Sequence, residues 1–229
     1  MRKALALSAA ITLSTAAVAM AAGPTVKVTV TPATPSAQST LKVSATGPYS
    51  ESGLPKSLAL TVQKGFQSSA KSVPVLCNPK SSKVTSNQPN PCPAKSKVGS
   101  GKVVANVSGF GTEKVPFTMY LGTPKHKGDI ASVILSGTLP IAGTTENVVG
   151  RLFKTTSGEV EILFNRFPSA PSGITIKVKS LSFSAHAVQG KSSLITNPPS
   201  CKGGHWTSSF TLTFSGGTVS TQPQIPCSK

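Results

Sequence analysis

The chain has few acidic side chains and few aromatic rings. Of its 229 residues only 6 are aspartate or glutamate, and Asp129 is the only aspartate. Such a composition leaves no calcium-binding loop of the D-x-D-x-D type. One tryptophan and two tyrosines, Tyr49 and Tyr120, do not suffice for a row of stacked rings. A ring-lined carbohydrate face and a base-stacking nucleic-acid surface are therefore not expected.

Residues that carry common catalytic chemistry are also scarce. The 3 histidines are His126, His186 and His205, and no H-x-H or H-x-x-x-H spacing occurs. Neither a G-x-S-x-G nucleophile turn nor a glycine-rich phosphate loop is present. We expect no metal, no cofactor and no catalytic residues, and hence no enzyme. One alternative stays open, a hydrolase that uses His126 and Asp129 from a single turn.

The remaining histidines and acids have ordinary structural interpretations. His186 ends a strand pattern and is expected to face solvent. His205 and Trp206 could line a pocket together, but we favour a rim position in which Trp206 packs beside Cys201. Glu159 and Glu161 share one strand face. Their position in a hairpin predicts a solvated pair rather than a catalytic one.

The first 21 residues predict a signal peptide. Arg2 and Lys3 precede an apolar run from Ala4 to Val18, and Ala19-Met20-Ala21 forms a small-residue cleavage site. The run is too short and too rich in alanine for a membrane span. No later segment is apolar enough to span a bilayer. We therefore expect an exported protein, secreted or associated with the cell wall, whose mature chain covers 22–229.

Four cysteines remain in the exported part, and an even number in this setting predicts two disulfides. They are Cys77, Cys92, Cys201 and Cys227, for which three pairings exist. We favour Cys77–Cys92 and Cys201–Cys227, since each closes a short loop rich in Pro, Ser or Gly. A zinc site is the alternative, but no C-x2-C spacing supports it.

Alternation of apolar and polar residues predicts strands along most of the chain. The alternating segments are Val26–Val30, Leu41–Ala45, Leu58–Val62, Val103–Val107, Val115–Leu121, Val160–Phe164, Ile174–Val178, Leu181–Phe183 and Phe210–Phe214. Asp129–Gly137 and Glu146–Lys154 are more continuously apolar, which predicts central strands covered on both faces. Pro116 predicts an edge strand, and Gly216-Gly217 a hairpin turn.

No segment after the signal peptide shows a helical period, so we predict ten to thirteen strands and no long helix. Such strands bury their apolar faces by packing sheet on sheet, as in an antiparallel β-sandwich. The sequence allows one large sandwich or two small ones. Two small ones would divide near 107–114 or 167–173.

Positive charge is the strongest feature that the chain does have. It contains 23 lysines and arginines, which gives a net charge of +17. A long loop rich in Pro, Ser and Lys, 71–97, surrounds the first cysteine pair. We expect Lys80, Lys83, Lys95, Lys97 and Lys102 to contact an anionic cell-wall polymer or polysaccharide. The alternative is that scattered lysines only keep the domain in solution.

Several segments around the cysteines resemble a group of exported all-β proteins of unassigned function from high-GC Gram-positive bacteria. The segments are Leu58–Phe66, Cys77, the C-P-x-x-S-x-V-G element of Cys92–Gly99, Asn197–Trp206, Phe210–Phe214 and Cys227. The resemblance implies the local disulfide pairing and an extracellular or envelope location. It implies no activity and no ligand. Pro93 and Gly99 are expected to turn the chain out of the 71–97 loop into a strand.

These observations favour a non-enzymatic, exported structural or binding module of the cell envelope. The His126–Asp129 hydrolase is one alternative. Another is a carrier that holds an apolar ligand between the sheets, around Ile134 and Phe164. The sequence leaves the identity of the ligand and the oligomeric state open.

Overall fold

The computed structural model describes residues 24–49, 53–139, 143–170 and 172–228, so the predicted signal peptide lies outside the described residues. The strands are β1 Thr25–Thr31, β2 Thr40–Thr46, β3 Ser57–Val62, β4 Lys97–Val107, β5 Gly111–Gly122, β6 Asp129–Leu139, β7 Thr144–Lys154, β8 Val160–Phe164, β9 Ile176–Ala185, β10 Val188–Gln189, β11 Ser192–Ser193, β12 His205–Thr213, β13 Thr218–Thr221 and β14 Gln224–Pro226. Helical structure in these ranges is limited to a single α-helical turn, α1 (Ser82–Thr85), and two 3-10 turns, Ala70–Ser72 and Ala94–Ser96.

Twelve strands form one antiparallel sheet in the order β1-β2-β9-β4-β5-β6-β7-β8-β3-β12-β13, with β14 paired to β12. The sheet curls, and its two ends meet. The contacts between these ends are those of β1 with β14 and a hydrogen bond from the Ser228 N–H to the Ala33 carbonyl at 3.0 Å. Strands that are distant in the sheet order therefore face each other. The predicted all-β antiparallel fold is confirmed, and its two layers are halves of one continuous sheet.

The core lies between these two layers. Leu41 and Val43 of β2 and Leu60 of β3 are buried in one apolar cluster that contains residues of both layers. Trp206 of β12 is 1% exposed and meets the Phe66 ring edge-on at 5.4 Å between ring centroids, so its predicted rim position is wrong. Because every second residue of a strand points to the same face, the alternation seen in the sequence is the direct cause of this core.

One predicted strand position is wrong. Pro116 lies in β5, which is flanked by β4 and β6 and is therefore not an edge strand. Proline has no N–H for a strand ladder, yet it is accommodated because the pairing of β5 with β6 ends at Phe117, opposite Gly137. The strand is central, but it has no ladder partner on the β6 side at the proline itself.

Two predicted strands prove to be one. Most of Ile174–Val178 and all of Leu181–Phe183 lie in the single strand β9, in which the apolar positions change from even to odd numbers. The cause is a bulge: Val104 of β4 pairs with Ser180, whereas the next residue pairs with Val178. Lys179 is the extra residue. A β-bulge of this kind shifts the alternation by one position, so apolar side chains on both sides of Lys179 face the interior.

The two segments named as domain boundaries are connections in this sheet. Residues 107–114 contain the turn between β4 and β5, and 167–173 belong to the connection from β8 to β9. The predicted Gly216-Gly217 hairpin is confirmed, since Thr213 of β12 pairs with Thr218 of β13 across it.

Candidate functional site

A cavity of about 390 Å³ lies between the two layers at one end of the fold. Its wall is made almost entirely of apolar side chains from opposite halves of the sheet. Representative lining residues are Val103, Phe117, Leu135, Ile162, Phe183 and Leu212. This size falls within the range of about 300–1,000 Å³ that is typical of small-molecule sites.

The cavity is at the end of the fold where four connections gather. Val107 precedes the β4–β5 turn, and Leu139 and Thr144 flank the β6–β7 turn; all three residues line the cavity. Leu54 and Phe167 reach the same space from the neighbouring loops. Loops that surround an apolar cavity on a rigid sheet are a common arrangement for ligand binding.

Two glycines allow aromatic rings to lie flat against the cavity wall. A Cβ atom on Gly101 of β4 would be 2.4 Å from the Phe117 ring, and one on Gly150 of β7 would be 2.5 Å from the Phe164 ring. A larger residue at either position would collide with the ring and also with a neighbouring carbonyl oxygen, that of Ser182 or Leu163. The cavity shape therefore depends on these two close approaches.

Glu113 of β5 and Glu146 of β7 are the charged residues on this wall. Each shares its strand face with apolar lining residues: Val115 follows Glu113 by two positions, and Val148 follows Glu146 by two. Glu113 is half-buried and Glu146 is exposed. The wall thus combines an apolar interior with two carboxylates and, within the described residues, no lysine or arginine.

All five lysines of the predicted anion-binding group are exposed. Lys80 and Lys83 lie in the loop closed by the first disulfide, Lys95 and Lys97 lie at the start of β4, and Lys102 lies within β4. None of them lines the cavity. They belong to the outer surface of the molecule.

Both predicted disulfides are confirmed, Cys77–Cys92 and Cys201–Cys227. The described residues contain no free cysteine, so the zinc alternative is wrong. Disulfides persist in oxidising compartments, and the two bonds are consistent with an extracellular protein.

The loop closed by Cys77 and Cys92 packs on the outer face of the sheet. Cys77 and Val84 contact a buried cluster with Tyr120 and Ile134, and the Cys77 N–H donates to the Leu121 carbonyl at 2.9 Å. Burial there raises the pKa of the Tyr120 hydroxyl. The loop is therefore a fixed cover, and this explains why β6 is apolar on both faces.

Polar contacts connect the same loop to β7. The Asn147 side-chain amide donates to the Ser86 carbonyl at 2.7 Å, and the Thr145 N–H donates to the Asn87 side chain. The lysines on the loop are consequently held on a defined surface rather than on a free chain.

The C-P-x-x-S-x-V-G element has a clear structural basis. Pro93 begins a 3-10 turn, and the buried Ser96 donates its hydroxyl to the Pro93 carbonyl at 2.6 Å. Val98 is buried at a bulge in β4. Gly99 is required because a Cβ there would lie 2.2 Å from the Ser184 carbonyl oxygen. The expected role of Pro93 and Gly99 at the entry to β4 agrees with this geometry.

Asp129 forms its main contacts with Arg151, not with the His126 imidazole. Arg151 Nη2 lies 2.6 Å from Asp129 Oδ1, and Arg151 Nε donates to both carboxylate oxygens at 3.0 and 3.1 Å. The carboxylate raises the pKa of Arg151. His126 reaches Asp129 through its backbone N–H at 3.3 Å. The structure therefore does not bring the predicted catalytic pair together through their side chains.

The other candidate polar residues also have structural contacts. His186 is exposed, as expected, and its Nδ1 lies 3.2 Å from the Thr40 hydroxyl. His205 Nδ1 lies 2.9 Å from the Gly203 carbonyl oxygen. Thr61 donates to Glu161 at 3.3 Å, and Ser157 donates to Glu159 at 3.0 Å. Within the described ranges, no group of three His, Cys, Asp or Glu side chains is arranged to hold a metal ion.

Tyr49 lies behind the cavity wall. Its ring centroid is 6.1 Å from that of Phe214, a lining residue. Burial raises the pKa of the Tyr49 hydroxyl to about 12, so the ring stays neutral at physiological pH. Tyr49 therefore contributes apolar surface and no charge to this end of the fold.

The two residues predicted to line an apolar site separate in the structure. Phe164 lines the cavity, whereas Ile134 is on the outer face under the disulfide-closed loop. Sequence reasoning missed Glu113 and Glu146. The signal that could have found them is their two-residue spacing from Val115 and Val148 on inward-facing positions.

No protein-family model, curated protein or solved structure matches this chain. Among the helices of the described ranges, none has the length and apolar character needed to cross a membrane.

Proposed function

We propose that the chain is an exported binding protein that carries an apolar ligand between its two β-layers. The observation that carries this proposal is the cavity of about 390 Å³ and its apolar wall. The predicted signal peptide supports an extracellular location. The cavity is supported by the rigid sheet on both sides, which is the usual situation of a preformed ligand site.

Burial of apolar ligand surface would supply the binding energy. Transfer of apolar surface out of water contributes roughly 25 cal/mol per Å², and an alkyl chain of moderate length fits a cavity of this size. The wall offers few hydrogen-bonding groups, so affinity is expected to increase with chain length. Polar ligands such as free sugars are not expected to bind.

The matched variants Val103→Trp and Val104→Trp test this proposal. The two valines are adjacent in β4 and both are half-buried, but only Val103 lines the cavity. An indole at position 103 occupies ligand space, so we expect affinity for a fluorescent alkyl probe to fall by about tenfold or more, or about 1.4 kcal/mol. Titration of the probe measures this change.

Val104→Trp is the control, since its side chain is on the opposite face of the strand. We expect it to bind the probe as the unmodified chain does. Equal binding by both variants, with both folded by circular dichroism, would show that the probe does not enter the cavity. A complete lack of probe binding by the unmodified chain would also reject the proposal.

A second function is favoured by the distribution of charge. The one salt bridge among the described residues joins Arg151 and Asp129, so the lysines of the outer surface have no acidic partner there. We propose that Lys80, Lys83, Lys95, Lys97 and Lys102 hold the protein to an anionic cell-wall polymer or polysaccharide. Association of this kind is electrostatic and weakens with salt.

Replacing these five lysines by glutamate should abolish retention on an anionic wall polymer at low salt. Five substitutions at other exposed lysines, Lys27, Lys42, Lys56, Lys154 and Lys202, change the net charge equally and serve as the control. Elution from immobilised polymer in a salt gradient is the measurement. Identical elution of both variants would show that total charge, not this surface, determines retention.

A further inference from the structure

We infer that the ligand of the cavity is an amphiphile with a cationic head group, such as an alkyl amine. This inference rests on the proposed carrier function and specifies its substrate class. It is carried by the acidic residues on the cavity wall and by the absence of basic residues there among the described residues.

Acidic residues are the rarest charged groups in this chain. The sequence has 6 of them against 23 lysines and arginines, yet Glu113 and Glu146 both line the cavity. The lysines of the described ranges are exposed instead, and none of them lines the cavity. The sign of the charge at the cavity is therefore opposite to that of the molecule as a whole.

The two glutamates lie on the same wall of the cavity at different levels, since Glu146 is level with Phe117 through Gly137, whereas Glu113 is four residues further along β5. They are on β5 and β7, the strands on either side of β6. Gly137 of β6 pairs with Glu146 and lines the cavity between the two strands. Gly137 itself lies close to β5, because a Cβ there would be 3.0 Å from the Pro116 carbonyl oxygen and 3.2 Å from the Phe117 Cβ. A cationic head group beside either carboxylate leaves the alkyl chain on the apolar wall.

Electrostatics then determine which head group is accepted. The half-buried Glu113 carboxylate beside an apolar wall is less screened than a charge in water, so it attracts an ammonium group and repels a carboxylate more strongly. The exposed Glu146 adds charge of the same sign. Hydrogen bonds between oppositely charged groups are the stronger class. A neutral alcohol would keep the apolar contacts without the charge interaction.

The net charge of the chain makes the test more decisive. A protein with a net charge of +17 generally repels cations and attracts anions at low ionic strength. Any preference for an amine over a carboxylate must therefore arise locally at the site. The overall field would produce the reverse order.

The experiment compares dodecylamine, dodecanol and dodecanoate by competition with a bound fluorescent alkyl probe. All three are used below the concentrations at which they form micelles. We expect the amine to compete at least about tenfold better than the alcohol, and dodecanoate to compete worst. In the Glu113→Gln, Glu146→Gln double variant the amine should lose this advantage while the alcohol competes as before.

Glu159→Gln with Glu161→Gln is the matched control, because it removes the same charge from residues that do not line the cavity. It should keep the amine preference. If the alcohol competes but the amine has no advantage, or keeps its advantage in the Glu113–Glu146 variant, the head-group inference is wrong and the carrier function stands. If none of the three competes, the carrier function itself is rejected.

Discussion

Replacing Trp206 by alanine should lower the free energy of unfolding by about 3–5 kcal/mol, the range typical of large aromatic residues in a core. Trp206 is 1% exposed, and its ring packs edge-on against Phe66. Its indole N–H donates to the Ser200 carbonyl at 2.8 Å. The substitution therefore removes packing, an aromatic pair and a buried hydrogen bond together. Urea denaturation measures the loss.

Two variants separate these contributions. Trp206→Phe keeps an aromatic ring but leaves the Ser200 carbonyl without this donor, and we expect an intermediate loss. Phe110→Ala provides the surface comparison, because Phe110 is 54% exposed at the β4–β5 turn. A loss after Trp206→Ala as small as that after Phe110→Ala would contradict the central position that we assign to Trp206.

Removing the first disulfide with the Cys77→Ser, Cys92→Ser double variant should cost about 3 kcal/mol, the estimate for closure of a loop of about 15 residues. The bond closes a loop with a sequence separation of 15 residues, most of it irregular chain. Without it, the loop is expected to leave the outer face of β5–β7 and expose Tyr120 and Ile134. Limited proteolysis should then cut within residues 78–91.

The Cys201→Ser, Cys227→Ser variant is the matched comparison. Its disulfide joins the segment before β12 to the residue after β14, and its loss is expected to leave residues 78–91 protected. Cleavage within 78–91 in both variants, or in neither, would show that the first disulfide does not hold the loop on the sheet.

The sequence predicted the strands well because half-buried antiparallel strands leave a two-residue signature. Val28 and Val30 of β1 and Leu58 and Leu60 of β3 alternate in the sequence and are buried in the structure. It could not show that both layers belong to one sheet, because the pairing of β8 with β3 joins distant parts of the chain. Nothing local in either strand encodes that contact.

The wrong or missing predictions concern residues whose surroundings depend on contacts between distant parts of the chain, which local sequence patterns do not report. Pro116 predicted an edge, but the ladder simply ends beside it on one side of a central strand. Ile134 was expected in an internal site, but the disulfide-closed loop buries it from outside. Glu113 and Glu146 had no visible role in the sequence, because their importance depends on a cavity between distant strands.

Lys179 marks where β9 can change in length without disturbing the core. Its backbone is the extra residue opposite Val104 and Ala105, and it sets Ile176 and Val178 on the same face as Leu181 and Phe183. Deleting Lys179 would remove the bulge and leave the regular alternation Ile-Lys-Val-Ser-Leu-Ser-Phe, with the same four apolar side chains inward. Deleting Lys177 or Ser182 would instead turn one end of this apolar set outward. Deletions in β9 that survive in evolution should therefore be found at the bulge, and other changes in length should be found in the turns.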